Sequence, residues 1–462
     1  MGFTAKYTKA FQYLFPTPFT IAVSLTVLSF FIAFLTTRPE KASVSHYAIQ
    51  ILKYWEGGLW NSGLMVFAMQ MMLMLVLGHV LALTKPVNSM INLAVKSCNN
   101  TAKAAALVTL LTVLVSLFNW GLGLIFGAIF ARKVAEHASK LKLNINYPLI
   151  GAAGYSGLMV WHGGLSGSSL AKVAEPGHLK EIMADLLTES QLLALPEKIS
   201  YSETVGSPMN LFVMVLLLTV LPFAMYWMGK RVKSSPIHLL ANKNNEEPIQ
   251  LEGAEKLDHS KVFSWFFGSV ILCYIGYKVA NDYHYNLLQF FNPNNINLLL
   301  FSLAIVLHQS IYNFLKAIDK AIGGASGILI QFPLYFGIMG IMKSSGLVGD
   351  ISGFFVEISN ETTAPIFTFL SAGLVNVFVP SGGGQWAVQG PIIVQAANDL
   401  GSSLPKSIMA LAYGDQLTNM LQPFWALPLL GITGLKAKEI LPYTLFLMGM
   451  GLVIYMTGLL LF

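Results

Sequence analysis

Eleven apolar runs dominate this chain and leave it few ways to fold. They fall at 19–36, 59–84, 104–130, 148–166, 208–229, 262–280, 297–316, 325–342, 364–397, 407–432 and 441–461. A run of about 20 apolar residues is what an α-helix needs to cross the hydrocarbon of a bilayer. Lipid offers no hydrogen bonds, so spanning segments must satisfy their own backbone, and helices do so. The fold expected is an all-α polytopic membrane protein. Composition agrees, with 55% hydrophobic and 11% charged residues against about 25% charged in soluble domains. The net charge of +6 therefore bears on orientation, and no basic run or stacking motif points to nucleic acid. Cys98 and Cys273 imply neither a disulfide framework nor a metal cluster. No small-residue cleavage site follows the first run, which is read as the first transmembrane helix rather than a signal peptide.

Charged residues orient the runs by the positive-inside rule. Lys6 and Lys9 place the N-terminus in the cytoplasm, and two spans return the chain there at Lys85, Lys96 and Lys103. Run 104–130 then has basic flanks on both sides, since Arg132, Lys133, Lys140 and Lys142 follow it. A re-entrant hairpin turning near Asn119-Trp120-Gly121 keeps both flanks inside. Span 148–166 leads out to the net acidic loop 167–207, and 208–229 leads back to Lys230, Arg231 and Lys233. From there 262–280 goes out, 297–316 comes in at Lys316 and Lys320, and 325–342 goes out. A second hairpin, 364–397, is then entered from outside; 407–432 comes in at Lys436 and Lys438, and the last span ends outside.

The second hairpin contains the least helix-like stretch of the chain, Pro380-Ser381-Gly382-Gly383-Gly384-Gln385-Trp386 through Gln389-Gly390-Pro391. Three consecutive glycines between prolines break a helix. Broken backbone at membrane depth persists only inside protein or along a water-filled cavity. Glycine amides and the side chains of Ser381, Gln385 and Gln389 are then open to a ligand. The Lys-Ser/Thr ending of a nucleotide loop is absent.

An internal repeat ties this stretch to the first half. Ala152–Gly157 matches Ala410–Asp415 with Tyr155 and Tyr413 offset by 258, while Asn119/Asn376 and Pro148/Pro405 are offset by 257. Each half reads span, span, hairpin, interrupted span, span, and the charges run the halves in opposite directions. That is the inverted-repeat plan of secondary transporters, with sites at the midplane. It divides the chain into a first repeat, 1–230, with hairpin 104–130 and interrupted helix 148–166; a cytoplasmic loop and linker helix, 231–296; and a second repeat, 297–462, with hairpin 364–397 and interrupted helix 407–432.

Four broken elements should then converge. Substrate contacts are expected from Ser381, Gly382, Gly383, Gly384, Gln385, Asn119, Tyr155 and Ser156. An ionised Asp at mid-membrane costs roughly 2.5–3.5 kcal/mol on insertion scales, so it faces a cation, a cavity or a partner. Asp415, with Asn419, Asn376 and Gln416, is the expected ion-coupling group; an Asp capping a half-helix is the structural alternative. His79, His162 and His308 read as interhelical hydrogen-bonding residues with no metal-ligand spacing. No cofactor is expected beyond a coupling Na+ or H+. The only arginines, Arg38, Arg132 and Arg231, lie near span ends, so an anionic substrate must be met by amides, hydroxyls or a co-bound cation. A small monocarboxylate with its tail against Trp386, Trp425 or Phe424 fits that inventory better than a dianion.

From Val379 to Pro391, through Tyr413-Gly414-Asp415-Gln416 with Asn419, and across Gly154–Gly164, the chain resembles the bacterial short-chain fatty acid transporter family. The resemblance covers most of the chain. It implies uptake of butyrate- or acetoacetate-like monocarboxylates across the bacterial inner membrane. It also places the chain near the ion-transporter superfamily of dicarboxylate and citrate carriers, typically homodimers with two hairpins. The Ser-Asn-Thr tips of those carriers are missing, since the tips here read Ser-Gly-Gly-Gly-Gln and Asn119-Trp120-Gly121. Two other readings compete: a sodium/proton antiporter centred on Asp415, and an intramembrane serine protease on Gly154-Tyr155-Ser156-Gly157 with His162 or His308 as base.

Overall fold

The computed structural model describes residues 16–184, 187–235, 237, 253–283, 290 and 292–462. Lys6 and Lys9, on which the N-terminal orientation rests, lie outside them, as does 238–252. Among the described residues every regular element is a helix. Seven helices among the described residues are long and apolar enough to cross a membrane: Pro18–Thr36, Ser62–Ala82, Thr101–Phe118, Pro208–Gly229, Lys261–Asp282, Ile311–Ser344 and Ala437–Leu461. The protein is a multi-pass membrane protein.

Helix starts follow local chemistry. Asn or Ser side chains cap the first turn at Asn61, Asn100, Asn146, Ser207, Ser260 and Asn292. Proline follows at the first or second helical position in Pro148, Pro208, Pro293 and Pro405, where its missing N–H costs nothing. Pro148 and Pro405 occupy the same second position behind an Asn146 and a Ser403 cap.

Among the described residues seven rather than eleven long helices form, because several runs break. Run 104–130 becomes helices Thr101–Phe118 and Trp120–Lys140 on either side of Asn119. The second of these continues through Arg132 and Lys133, so the basic flank expected after run 104–130 is itself helical. Arg132 is buried there, donating to the Ile432 carbonyl at 2.8 Å and pairing with Glu136 at 3.0 Å. Run 364–397 becomes Ala364–Phe378 and Gly382–Leu400. Run 148–166 holds only Tyr147–Tyr155 and a short 3-10 turn, Ser156–Met159. Run 407–432 is Leu404–Thr418, a 3-10 turn Asn419–Leu421, and Pro423–Thr433. Run 297–316 is not one helix either: Gln309, at φ 64°, turns left-handed between Pro293–His308 and Ile311–Ala321. The acidic loop 167–207 carries three one- to two-turn helices, Ser168–Val173, His178–Met183 and Glu189–Ala194.

The broken elements lie at the centre. Ser407–Leu417 is buried without exception, as is Leu149–Met159, whereas few residues of Pro18–Thr36 and Lys261–Tyr277 are buried. In the first hairpin Gly123 packs on Ser116 and Gly127 on Thr112, so its arms run antiparallel. In the second, Gln385 Nε2 donates to the Ala372 carbonyl across the arms at 2.8 Å. Each hairpin is locked to a broken helix where backbones touch, Gly127 on Gly154 and Phe369 on Gly414.

Candidate functional site

The second hairpin turns at Val379-Pro380-Ser381 because Pro380 lacks an N–H and holds Val379 out of the helix. Ser381 is extended (φ −153°, ψ 105°) and caps the following arm, its Oγ accepting from Gly384 N at 3.2 Å. Gly382 and Gly383 thus form a first turn whose amides the helical ladder does not use. At the first hairpin Asn119 is extended too and caps its arm, Oδ1 accepting from Leu122 N at 3.0 Å.

A single loop, 160–169, reaches both tips. Leu165 N donates to the Leu117 carbonyl at 2.9 Å, and Ser166 Oγ accepts from Trp120 N at 3.0 Å, both at the first tip. Gly382, at the second tip, packs against the rings of Trp161 and His162.

The two breaks satisfy one another. Tyr155 donates its hydroxyl to the carbonyls of Asn419 and Gln422 at 2.8 and 3.0 Å. Gln416 returns the service, its Oε1 accepting from the amides of His162 and Gly163, each at 3.0 Å. Helix breaks free carbonyls and amides that lipid cannot pair, so each half supplies the group the other lacks.

Asp415 sits within Leu404–Thr418 and is 1% exposed, the only buried carboxylate among the described residues. It caps nothing, since neither carboxylate oxygen has a hydrogen-bond partner. Its Oδ1 lies 3.4 Å from Nδ1 of His162, which is also fully buried. Beside it Asn376 Nδ2 donates to the Asp415 carbonyl at 2.8 Å, and to Thr418 Oγ1 and Asn419 Oδ1 at 2.9 Å. The Asn376 carbonyl accepts from Gln422 Nε2. Asn376 Oδ1, Asn419 Nδ2, Gln385 Oε1 and Gln422 Oε1 are buried without partners. Buried polar groups are partnered in the great majority of cases, so a concentration of bare ones marks a place built to receive something.

The structure thus gathers Asp415, Asn376, Asn419 and Gln416 into one cluster and brings the Ser381–Gly382 tip to it through His162. Other expected contacts are spent elsewhere. Ser156 donates to its own chain at the Ala153 carbonyl, 2.7 Å away, which leaves the protease reading without its nucleophile. Tyr155 and Asn119 cap backbone. Gln385 and Gln389 bond each other along one arm at 2.6 Å, and Gln389 also reaches Ser371 on the other arm and Ser352.

Trp120, Trp161, Trp425 and Phe67 form a cage next to this cluster, with centroids 5.1 Å apart for Trp120–Trp425 and 5.7 Å for Trp120–Trp161. Phe424 extends the cage on Phe332, and Trp161 stacks on His162 at 4.5 Å. Trp386 is not part of it. Its Nε1 donates to His178 Nε2 at 3.0 Å, in the loop 167–207. Burial holds His178 below the ordinary imidazole range, with Lys172 adding to the effect, which keeps that nitrogen free to accept. The sequence reading missed His162 as a site residue, along with Trp120, Trp161 and Ser169. The usable signal was position, because the interruption at Gly154-Tyr155-Ser156-Gly157 runs directly on to His162.

A multi-pass helical membrane protein with paired hairpins and a buried, charge-poor polar cluster belongs to the class of membrane transporters. The chain belongs to the short chain fatty acid transporter family, whose profile matches residues 2–462. Two relatives, each named "Putative short-chain fatty acid transporter", come from Escherichia coli (strain K12) and Haemophilus influenzae (strain ATCC 51907 / DSM 11121 / KW20 / Rd). The first is 36% identical over 97% of this chain and 96% of its own length. The second is 34% identical over 93% of this chain and 92% of its own. Among solved structures, the Alcanivorax borkumensis YdaH transporter aligns over 96% of this chain and 97% of its own at 12% identity and a TM-score of 0.41. Neisseria gonorrhoeae MtrF aligns over 97% of each chain at 13% identity and a TM-score of 0.44.

Proposed function

We propose that this chain is a secondary active transporter that carries a short-chain monocarboxylate, of the butyrate or acetoacetate kind, together with a cation by alternating access. The observation that carries the reading is the buried Asp415 cluster, set where both breaks and, through loop 160–169, both hairpin tips meet. Asp415 with Asn376, Asn419 and Gln416 is its cation side. The Gly382–Gly383 amides and the bare Trp161 Nε1 can take a carboxylate, and the Trp120–Trp161–Trp425 cage an apolar tail. Arg132 is the only buried arginine or lysine among the described residues and is already paired with Glu136. A dianion would find no fixed positive charge, which favours a monocarboxylate. Because the cluster is buried on all sides, loading it requires a movement, as alternating access does.

The same reading includes the inverted repeat of 1–230 and 297–462 about the 231–296 linker, with both hairpins re-entrant. It also includes a homodimer in the bacterial inner membrane with a cytoplasmic N-terminus, near the dicarboxylate and citrate carriers. The test is uptake of labelled butyrate and acetoacetate into proteoliposomes under separate sodium and proton gradients. Uptake of neither under any gradient would overturn the function, and ion flux without any organic acid would favour the antiporter instead.

A further inference from the structure

Resting on that transport reading, we propose that the coupling cation is a proton, delivered to Asp415 through the His162 imidazole from its Ser169 side. The backbone N–H of Ser169, which can only donate, meets Nε2 of His162 at 3.1 Å, and Ser169 Oγ lies 2.7 Å from the same nitrogen. Nε2 therefore presents its lone pair, and the neutral ring carries its hydrogen on Nδ1. Nδ1 is the atom that faces Asp415 Oδ1, at 3.4 Å. A carboxylate with a ring nitrogen at that distance, in contact but not yet hydrogen-bonded, is poorly arranged to hold a metal cation on the same side, and can exchange a proton once the ring turns into line.

The surroundings leave the pair to itself. Among the described residues Asp415 is the one carboxylate within salt-bridge distance of His162. The ionisable groups packed nearby are phenols: Tyr413, beside Gly163, donates to Asn210 Oδ1 at 2.9 Å, and Tyr455 donates to the Met159 carbonyl. Gly382 and the stacked Trp161 close the remaining sides. Ser, His and Asp in this order also make a hydrolase triad, but Ser169 is fully buried and opens onto no substrate surface.

Loading is then a relay. A proton from the aqueous phase binds Nε2; the Nδ1–H bond breaks as an O–H bond forms on Asp415 Oδ1. The ring is left neutral with its hydrogen on Nε2, the carboxylate has become a neutral acid, and the site has gained one positive charge. A protonated Nε2 cannot accept from Ser169 N–H. Loading by this route therefore breaks the bond from Ser169 N–H and leaves Nε2–H to donate to Ser169 Oγ, and the loop whose anchor so changes is the one that touches both hairpin tips. His162 is thus a proton-transferring residue, and Ser169 positions its ring.

The experiment uses the full-length protein in proteoliposomes, with labelled butyrate as probe. It measures accumulation driven by a pH gradient, accumulation driven by a sodium gradient, and counterflow against unlabelled butyrate. Wild type should accumulate the probe with the pH gradient and not with sodium alone. His162→Gln should lose pH-driven accumulation by about 100-fold, the scale of a positioned proton-transfer group, with counterflow reduced far less. Ser169→Ala keeps the backbone N–H but loses the hydroxyl, and should shift the pH profile of accumulation. Sodium-driven accumulation, or wild-type pH-driven accumulation in His162→Gln, would overturn the proposal. If His162→Gln loses counterflow as well, an unshifted pH profile in Ser169→Ala would overturn it and a shifted one would sustain it. Counterflow in wild type without pH-driven accumulation sinks the proton proposal alone, whereas absence of both sinks the transport reading beneath it.

Discussion

Gly382 and His162 meet so closely that a methyl group added to the glycine would lie 2.9 Å from Cε1 of the imidazole, and 2.6 Å from the ring of Trp161. Neither ring has room to retreat, since His162 is fixed by Ser169 and Trp161 is stacked on it. Gly382→Ala should therefore push the second tip off the loop, at about 1–3 kcal/mol of overpacking. Butyrate uptake should fall sharply while the protein still inserts and purifies. Wild-type uptake by the variant would show that the contact is not needed.

Asn376 holds the second broken helix together by sharing the two hydrogens of its amide nitrogen among Asp415 O, Thr418 Oγ1 and Asn419 Oδ1. Asn376→Ala takes a donor from all three and leaves the fully buried Asn419 Oδ1 without the one Asn376 gives it, which should cost about 1–3 kcal/mol. The measurement is the melting temperature in detergent, and an unchanged value would reject the role.

Tyr155→Phe removes a single oxygen that serves two carbonyls of the opposite half. Interhelical hydrogen bonds in membranes average about 0.6 kcal/mol and reach about 1.7 kcal/mol, so the variant should fold. Its transport rate should change more than its affinity, because the bond joins the halves and not the substrate. A change confined to the half-saturating concentration would point instead to direct substrate contact.

The tie between His178 and Trp386 should depend on pH. Burial lowers the His178 pKa in the folded protein, below the usual value of about 6.5. A depressed histidine contributes fully above that usual value and loses its contribution as pH falls through the folded pKa. Protonated Nε2 cannot accept from Trp386, so the helix His178–Met183 should loosen on acidification. Amide exchange there, corrected for intrinsic rates, should rise between neutral and mildly acidic pH, and His178→Ala should abolish the dependence. Equal protection across that range in the wild type would sink the idea.

Much of this architecture is written in local chemistry. The first hairpin turn was readable from the basic residues on both sides of run 104–130, and the second because Pro380-Ser381-Gly382 breaks a helix by rules that need no tertiary context. The second broken helix was readable from Asp415 through Gln422, where polar residues crowd an apolar run. The bend at Gln309 was not, because a left-handed glutamine has no sequence signature. His162 escaped notice for a related reason. An isolated histidine on an apolar segment looks the same whether it bonds a backbone carbonyl, as His308 bonds Val80, or faces a carboxylate 253 positions away. Ser156 misled in the other direction, because its hydroxyl turns back on its own helix.

The mutual capping of the two breaks also has a history within each molecule's synthesis. Tyr155 and the Asn419 carbonyl it serves are 264 positions apart. At roughly 5–20 residues per second, the ribosome needs on the order of tens of seconds to deliver the second after the first. Throughout that interval the amides of His162 and Gly163 have no Gln416 to receive them. The amino-terminal broken helix can therefore reach its final form only after nearly the whole chain has emerged, and the centre of the protein is the last part of it to be completed.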